Sequence, residues 1–177
     1  LQYDSTYGKY EKDINFIDDS HFSIDDKVIS YSAEGYIENV DWKGADIIIC
    51  ATGIKKNIVG VKNLIKNNII KKAVVTHASD LVDNTIIMGV NESEYRSETD
   101  NLLSSSICDA NAVAQALYHI NNKWGIKNCF FTTLHPWLSY QNLVDGTLQS
   151  ISSPGHFWKD YALGRSAAES MIPKLTT

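Results

Sequence analysis

Residues 46–53, DIIICATG, constrain the fold more than any other part of this chain. The apolar run is nearly continuous and β-branched, which is the pattern of a strand buried on both faces of a parallel sheet. Residues 55–68 follow with apolar residues at helical spacing and lysines on the other face. These apolar residues are Ile58, Val61, Leu64 and Ile65. A second buried strand is predicted in KKAVVTHAS, residues 71–79, so strand, helix and strand form a βαβ unit in an α/β fold.

Several further elements are predicted along the chain. Short β pieces are expected over residues 12–40 with a turn at Asp25 and Asp26, and a third buried strand is expected in TIIMGVN. The clearest helix covers residues 108–124 and stops at Gly125. Its apolar stripe is Val113, Leu117, Ile120 and Trp124. The remaining predictions are a strand in NCFFTTLH (128–135), an exposed turn in SSPGH (152–156) and a short helix in ALGRSAAESMIP (162–173).

Small polar residues follow the two strands of the βαβ unit. Ligands of such sheets bind at the carboxyl ends of the strands, and the connection between the strands is right-handed. Thr52 and Gly53 follow the first strand, and Thr76 and His77 follow the second. These residues either belong to a ligand site or form ordinary turns, and the residues alone do not decide between the two.

Composition narrows the class of protein. The chain has 177 residues and a formal net charge of −5, which disfavours a nucleic-acid binder. No apolar run reaches the length of a membrane span, and the first residues lack the regions of a signal peptide. Cys50, Cys108 and Cys129 have no metal-binding spacing, so neither a disulfide framework nor a metal site is expected. A reducing compartment, the cytoplasm, is the predicted location.

Cys108 stands directly at the start of the predicted helix, and His135 follows at the end of a predicted strand. A helix N-terminus favours the thiolate through its dipole and its N–H groups, which also stabilise an oxyanion formed on attack of a carbonyl. A nearby histidine activates the thiol and acts as acid or base. The alternative is a simply buried cysteine and a structural histidine.

Six collinear stretches resemble glyceraldehyde-3-phosphate dehydrogenase. They are YDSTYGKY (3–10), ATGIKKN (51–57), IIMGVNESEY (86–95), SSSICDANAVAQAL (104–117), WGIKNCFFTTLHPW (124–137) and LGRSAAESMIP (163–173). The resemblance implies part of a Rossmann-like NAD-binding domain over residues 1–107. It implies the first part of an α+β catalytic domain over residues 108–177.

The same resemblance implies roles for individual residues. Cys108 matches the nucleophile that forms a thiohemiacetal and then a thioester, and His135 matches the base. NAD or NADP is the implied cofactor, a small aldehyde is the implied substrate, and inorganic phosphate is a candidate second substrate. The implied cofactor-binding residues are Thr52, Gly53, Thr76 and His77. The implied substrate-binding residues are Asp109, Asn111, Arg165 and Thr176.

Departures from the family pattern lie around the phosphate sites. Asp109 replaces a threonine that helps bind inorganic phosphate, and a carboxylate there would repel the anion. Ile107 replaces a serine, Leu138 replaces a threonine, and Leu163 replaces an arginine, although Arg165 matches a nearby arginine. Two hypotheses follow: an enzyme with another aldehyde or with water as acceptor, or a weak or inactive relative.

The family's glycine-rich phosphate loop precedes its YDSTHG segment, so the chain reads as an internal piece of a longer protein that binds NAD poorly by itself. The expected partners are further copies, as in the family's tetramer, or a complementing fragment. A silent relative that serves in assembly is the second hypothesis, with Phe157, Trp158 and Tyr161 as candidate contact residues. A Cys–His hydrolase is a third, which would not explain the cofactor-domain matches.

Overall fold

A computed structural model describes residues 2–137, 141–146 and 164–173. The predicted α/β class is confirmed by a parallel sheet with helices. The chain divides into two compact units, Leu1–Thr85 with Arg96–Ser104 and Ile86–Tyr95 with Ser105–Thr177. The domain boundary inferred after residue 107 stays a prediction.

The first unit begins with two small antiparallel sheets. β1 (Tyr3–Asp4) pairs with β2 (Gly8–Lys9). β3 (Ile14–Asp18), β4 (His21–Ile24) and β5 (Lys27–Ser30) form a meander, which confirms the short β pieces predicted over residues 12–40. The predicted turn lies between β4 and β5, where Asp25 has φ +50°. Aspartate tolerates this left-handed conformation better than most residues, which suits the tight turn.

A four-stranded parallel sheet follows in the same unit. Its strands are β6 (Ile47–Cys50), β7 (Lys72–Val75), β8 (Asn84–Thr85) and β9 (Leu102–Ser104), in the order β6-β7-β9-β8. Helix α1 (Lys55–Lys66) connects β6 to β7, so the predicted βαβ unit is confirmed. The parallel pairing brings the carboxyl ends of β6 and β7 to one edge of the sheet.

The core of the first unit lies between α1 and this sheet. Ile58, Val61 and Leu64 of α1 are buried, and Ile65 is partly buried against them, as the helical spacing predicts. Ile48 and Cys50 of β6 are buried while Ile47 and Ile49 are exposed, so only one face of β6 is covered among the described residues. The prediction that this strand is buried on both faces is therefore wrong for the described part of the chain.

The predicted third strand, residues 85–91, is also wrong over most of its length. Only Asn84 and Thr85 pair with β9, and the chain then turns. The N–H of Ile87 donates to the Asn91 side chain at 2.8 Å, and Gly89 has φ +82°. Asn91 thus offers the backbone a turn in place of a sheet partner, and the left-handed glycine ends the extended run.

The second unit is organised around helix α2 (Cys108–Trp124), which confirms the predicted helix. It ends at Gly125, whose φ of +76° suits glycine. Val113 and Leu117 of the predicted stripe are half-buried. Ile120 and Trp124 are exposed by 43% and 71%, so the described residues cover only the first half of this stripe.

Two other predictions in this unit are wrong. Residues 128–135 form no strand in the described part, and Phe130 is 97% exposed, because no described neighbouring strand takes up its backbone groups. Residues 167–169 form a turn where a helix was predicted. The predicted turn at 152–156 and the aromatic residues Phe157, Trp158 and Tyr161 lie outside the described residues. None of the described helices is long and apolar enough to cross a membrane.

Candidate active site

Cys108 is the first residue of α2 and is exposed to solvent. The backbone of the preceding Ile107 is extended. Ser106 has φ +67°, a backbone conformation that residues other than glycine rarely adopt. Ser106 is nevertheless buried, with 9% of its surface exposed. The chain therefore turns sharply into α2 and presents the thiol at the positive end of the helix dipole, as the sequence predicts.

Asn111 holds this turn together. Its side-chain Nδ2 donates to the carbonyl of Ser105 at 2.7 Å and to the carbonyl of Ile107 at 2.9 Å. Its backbone N–H also donates to the Ile107 carbonyl, at 3.0 Å. Both amide hydrogens of Asn111 are engaged by the loop before Cys108. The residue predicted to bind substrate thus supports the loop that precedes Cys108, and its amide oxygen is the group left for another contact.

Asp109 and His135 form a hydrogen-bonded contact within the second unit. Nε2 of His135 lies 2.9 Å from Oδ1 of Asp109 and 3.1 Å from Oγ1 of Thr133. The Asp109 side chain is 8% exposed, whereas that of His135 is 47% exposed. A carboxylate only accepts hydrogen bonds, so this contact places a proton on Nε2 and leaves Nδ1 as the basic nitrogen of a neutral ring.

The sulfur of Cys108 completes a cluster with these two side chains. One ligand atom from each of Cys108, Asp109 and His135 lies within 4.8 Å of the others. No hydrogen bond joins the thiol to the imidazole among the described residues, since the imidazole faces Asp109 and Thr133. Such contacts are often loose in free enzymes and tighten only with substrate. The structure therefore brings the predicted pair together and adds a buried carboxylate to it.

The cluster of Cys108, Asp109 and His135 also has the composition of a metal site, which the cysteine spacing did not predict. Spacing between cysteines alone does not indicate a site with mixed donors. The three donors here are of different types and come from two segments, residues 108–109 and residue 135. Adjacent Cys and Asp residues at a helix start, with a histidine at the end of the next apolar run, are the signal that could have indicated it.

A cavity of about 540 Å³ lies in the first unit at the carboxyl ends of β6 and β7. This is the edge where parallel α/β sheets bind ligands. Gly53 and His77 line it, whereas Thr52 and Thr76 do not. The other lining residues are Lys55, Ile58, Ala78, Ser79, Asp80 and Thr85.

Two features of this cavity fit a polar cofactor. Nε2 of His77 is buried without a hydrogen-bond partner in the described part of the chain, while its Nδ1 contacts the Ala78 carbonyl at 3.0 Å. An unpaired buried polar atom is costly, so a ligand that pairs with Nε2 would be favoured. Gly53 has φ +67° and open space on its Cβ side, which permits close approach to the backbone.

Thr52 and Thr76 have structural contacts instead. The Thr52 hydroxyl accepts from the N–H of Ile54 at 3.3 Å and from Nδ2 of Asn57 at 3.1 Å, which supports the start of α1. The N–H of Thr76 donates to the Cys50 carbonyl at 3.2 Å. Lys55 and Asp80 form an exposed ion pair at 3.2 Å beside the cavity, and sequence reasoning missed both residues. An exposed pair of this kind contributes little stability, so an incoming anion can compete for Lys55.

The remaining predicted residues are distributed as follows. Arg165 pairs with Asp145 at 3.1 Å in the second unit, and the neighbouring Ser166 N–H donates to the same carboxylate at 2.8 Å. An anionic group would have to compete with Asp145 for this guanidinium. Thr176 lies outside the described residues, as do Leu138 and Leu163.

No family model matches the chain, but individual proteins do. It is 31% identical over 179 residues to glyceraldehyde-3-phosphate dehydrogenase 1 of Bacillus subtilis. This alignment covers 99% of the present chain and 50% of the Bacillus protein. It is 33% identical over 178 residues to glyceraldehyde-3-phosphate dehydrogenase 3 of Saccharomyces cerevisiae, with the same coverage. It is 30% identical over 178 residues to glyceraldehyde-3-phosphate dehydrogenase A, chloroplastic, of Chlamydomonas reinhardtii, covering 45% of that protein. The chain spans about half the length of the curated relatives it matches, and each alignment runs through Cys108 and His135. Along 99% of its length the chain is therefore similar to glyceraldehyde-3-phosphate dehydrogenases.

Proposed function

We propose that this chain carries the nucleophile and part of the cofactor site of an NAD(P)-dependent oxidoreductase that oxidises a small aldehyde. The observation that carries the proposal is the cluster of Cys108, Asp109 and His135 at the start of α2, in a chain related along 99% of its length to glyceraldehyde-3-phosphate dehydrogenases. Cys108 is the nucleophile, and His135 is the general base. The cavity with Gly53 and His77 is the cofactor side.

The first step is attack of the Cys108 sulfur on the aldehyde carbon. The thiol proton leaves, the carbonyl oxygen takes up a proton, and a thiohemiacetal forms on Cys108. Helix α2 contributes its positive N-terminus, where negative charge develops on that oxygen. The exposed thiol gives a small substrate direct access.

The second step converts the thiohemiacetal to a thioester. Bound NAD(P) would supply the hydride acceptor for this oxidation. The hydroxyl proton of the thiohemiacetal passes to His135, whose Nδ1 is the available nitrogen while Asp109 holds Nε2. His77 and Gly53 would hold the cofactor, because the first offers an unpaired buried nitrogen and the second offers open backbone.

The acyl acceptor in the third step is proposed to be water. Asp109 replaces the family's threonine, and its buried carboxylate repels a phosphate anion at short range. Hydrolysis adds water to the thioester carbon and gives a carboxylic acid while the thiol is regenerated. The contact between Asp109 and His135 holds the imidazole in place for this proton transfer.

The test combines a thiol assay with turnover on the full chain. Iodoacetamide should alkylate Cys108 about ten times or more faster than Cys129, although both thiols are exposed. NAD+ or NADP+ is supplied at high concentration with a series of small aldehydes, because the chain is expected to bind the cofactor poorly by itself. Cys108→Ser should abolish the cofactor reduction that the wild-type chain shows, whereas Cys129→Ser should retain it. Turnover should persist without inorganic phosphate.

Equal alkylation rates at Cys108 and Cys129 would reject the activated nucleophile. Turnover that requires phosphate would reject water as the acceptor and leave the oxidoreductase assignment standing. The two parts of the proposal therefore fail separately.

A second candidate is a silent family member that serves in assembly. It is favoured by the imidazole facing Asp109 and Thr133 rather than the thiol, and by exposed apolar residues in the second unit. Phe130 and Leu134 are 97% and 82% exposed. Under this hypothesis the chain assembles with further copies or a complementing fragment, and no aldehyde is turned over. Solution mass measured alongside the aldehyde series separates the two candidates, and a cytoplasmic location stays a prediction for both.

A further inference from the structure

The three side chains at the start of α2 offer three different donors to one point. Cys108 offers sulfur, Asp109 offers a carboxylate oxygen and His135 offers an imidazole nitrogen. All three belong to the second unit, and the carboxylate is held in a buried position between the helix and the histidine segment. In the proposed aldehyde oxidation Asp109 orients the imidazole, and that role does not require its carboxylate to lie close to the thiol as well.

We propose that Cys108, Asp109 and His135 form a binding site for a thiophilic divalent cation, with Zn²⁺ as the fitting ion. Zn²⁺ is bound in proteins by thiolate, imidazole and carboxylate groups in tetrahedral geometry. Three protein ligands and one open position are the pattern of a site that exchanges its fourth ligand with solvent. Magnesium and calcium, which prefer oxygen ligands, do not fit a site with sulfur and nitrogen.

The distances between the three ligand atoms allow zinc to bind after small movements of the side chains. Tetrahedral zinc bonds of about 2.0–2.3 Å place neighbouring ligand atoms about 3.3–3.8 Å apart. The imidazole nitrogen and carboxylate oxygen are 2.9 Å apart, so they would separate by a few tenths of an ångström. The remaining ligand separations are at most 4.8 Å, so the thiol would close by at most about 1.5 Å. Rotation of the exposed Cys108 side chain accomplishes such a shift.

Surroundings of the cluster support a resident cation. The Thr133 hydroxyl contacts the same Nε2 at 3.1 Å, and this hydrogen bond is given up when the nitrogen binds the ion. The buried carboxylate already lacks most of its water, so part of the desolvation that binding requires has occurred on folding. The Cys108 sulfur is exposed at the start of α2, so an ion can reach it from solvent.

Binding would consume the reactive thiol. The Cys108 sulfur forms a bond to the ion and releases its proton to solvent, and the Nε2 proton of His135 moves to Nδ1 so that Nε2 can bind. The thiolate is then no longer free to attack an aldehyde. A chelator that removes the ion restores the thiol. The cation therefore acts as a reversible inhibitor of the site. This regulatory consequence rests on the proposed function, whereas cation binding itself does not.

Cobalt titration of the full chain tests binding without any turnover. Co²⁺ substitutes for Zn²⁺, and its near-ultraviolet charge-transfer absorption reports a thiolate ligand. The chain should develop this absorption at one equivalent of Co²⁺, Cys108→Ser should lose it, and Asp109→Asn should weaken Co²⁺ binding about tenfold or more. Cys129→Ser is the matched control, because it removes the other exposed thiol and should leave the absorption unchanged.

A second measurement needs no variant. One equivalent of Zn²⁺ should slow alkylation of Cys108 about tenfold or more while Cys129 reacts as before, and EDTA should restore the original rate. No cobalt absorption in the wild-type chain, absorption that survives in Cys108→Ser, or equal affinity in Asp109→Asn would each overturn the site. None of these results depends on oxidoreductase activity, and a chain inactive on aldehydes that still binds cobalt would overturn the proposed function alone.

Discussion

At the scale of single residues, Asp109 shows what the sequence does and does not predict. The resemblance indicates that a carboxylate replaces a threonine next to the nucleophile, and repulsion of phosphate follows from charge alone. Burial of Asp109 against His135, 26 positions later, does not follow from the sequence. The partner of a histidine depends on the path of irregular chain, here residues 125–135, and no periodicity encodes that path.

Asp100 is the residue whose ionisation should affect stability. It is 6% exposed and accepts hydrogen bonds from the N–H of Arg96 at 3.0 Å, from Nδ2 of Asn84 at 3.2 Å and from the Thr99 hydroxyl at 3.0 Å. These donors, led by the Arg96 N–H, hold the pKa of Asp100 below its ordinary value of 3.8. A lowered folded-state pKa stabilises the protein above the unfolded value, and this stabilisation is lost as the pH falls through the folded pKa.

We therefore expect Asp100→Asn to lower the urea midpoint near neutral pH. The difference from wild type should shrink as the pH falls below 3.8, because protonation removes the same charge in the wild-type chain. Asp19→Asn, in the exposed turn before β4, is the control and should leave the pH dependence of the midpoint unchanged. A constant difference between Asp100→Asn and wild type at every pH would contradict the prediction.

At the scale of elements, prediction succeeds where burial is set by local pattern. Helix α1 has a periodic apolar face and flanking strands, and α2 has a glycine stop, so both follow from the sequence. Residues 85–91 and 128–135 carry the composition of strands, yet strands also need neighbours for their backbone groups. The first stretch is diverted by the contact between Ile87 and Asn91, and the second has no described neighbour.

Gly60 is the position in α1 where an added methyl group should be costly. It is buried, and a Cβ there would collide with Cγ2 of Ile37 and lie 2.8 Å from Oε1 of Glu38, both in the short 3₁₀-helix Ile37–Asn39. Alanine gains about 1 kcal/mol of helix propensity, whereas overpacking costs about 1–3 kcal/mol. We expect Gly60→Ala to lower the free energy of unfolding by about 1 kcal/mol in urea titration.

Asn63→Ala, at an exposed position of the same helix, gives the propensity effect alone and should be neutral or slightly stabilising. Equal stability of Gly60→Ala and Asn63→Ala would contradict the prediction. It would mean that the 3₁₀-helix moves away from the added methyl group without loss of stability, so that packing against Ile37 does not limit position 60.

At the scale of the whole molecule, apolar burial is unequal between the two units. Every buried hydrophobic residue of the described chain lies in the first unit, on β6, β7, β9, α1 and the loop before β7. The helices show the contrast directly. α1 buries Ile58, Gly60, Val61 and Leu64, whereas the only buried residue of the longer α2 is Asp109. The candidate nucleophile therefore stands on the helix with less support from packing among the described residues.

Hydrogen exchange should reveal this difference. Helix stability in proteins comes mainly from packing of an apolar face, so the amides of α1 should open only with the core of the first unit. We expect α1 and β7 to exchange about a hundredfold or more slowly than α2 when the full chain is measured by mass spectrometry at low protein concentration. Equal protection of α1 and α2 would contradict the prediction for the single chain. Protection of α2 that appears only at higher concentration would instead indicate that another copy covers Ile120 and Trp124, which are exposed by 43% and 71%.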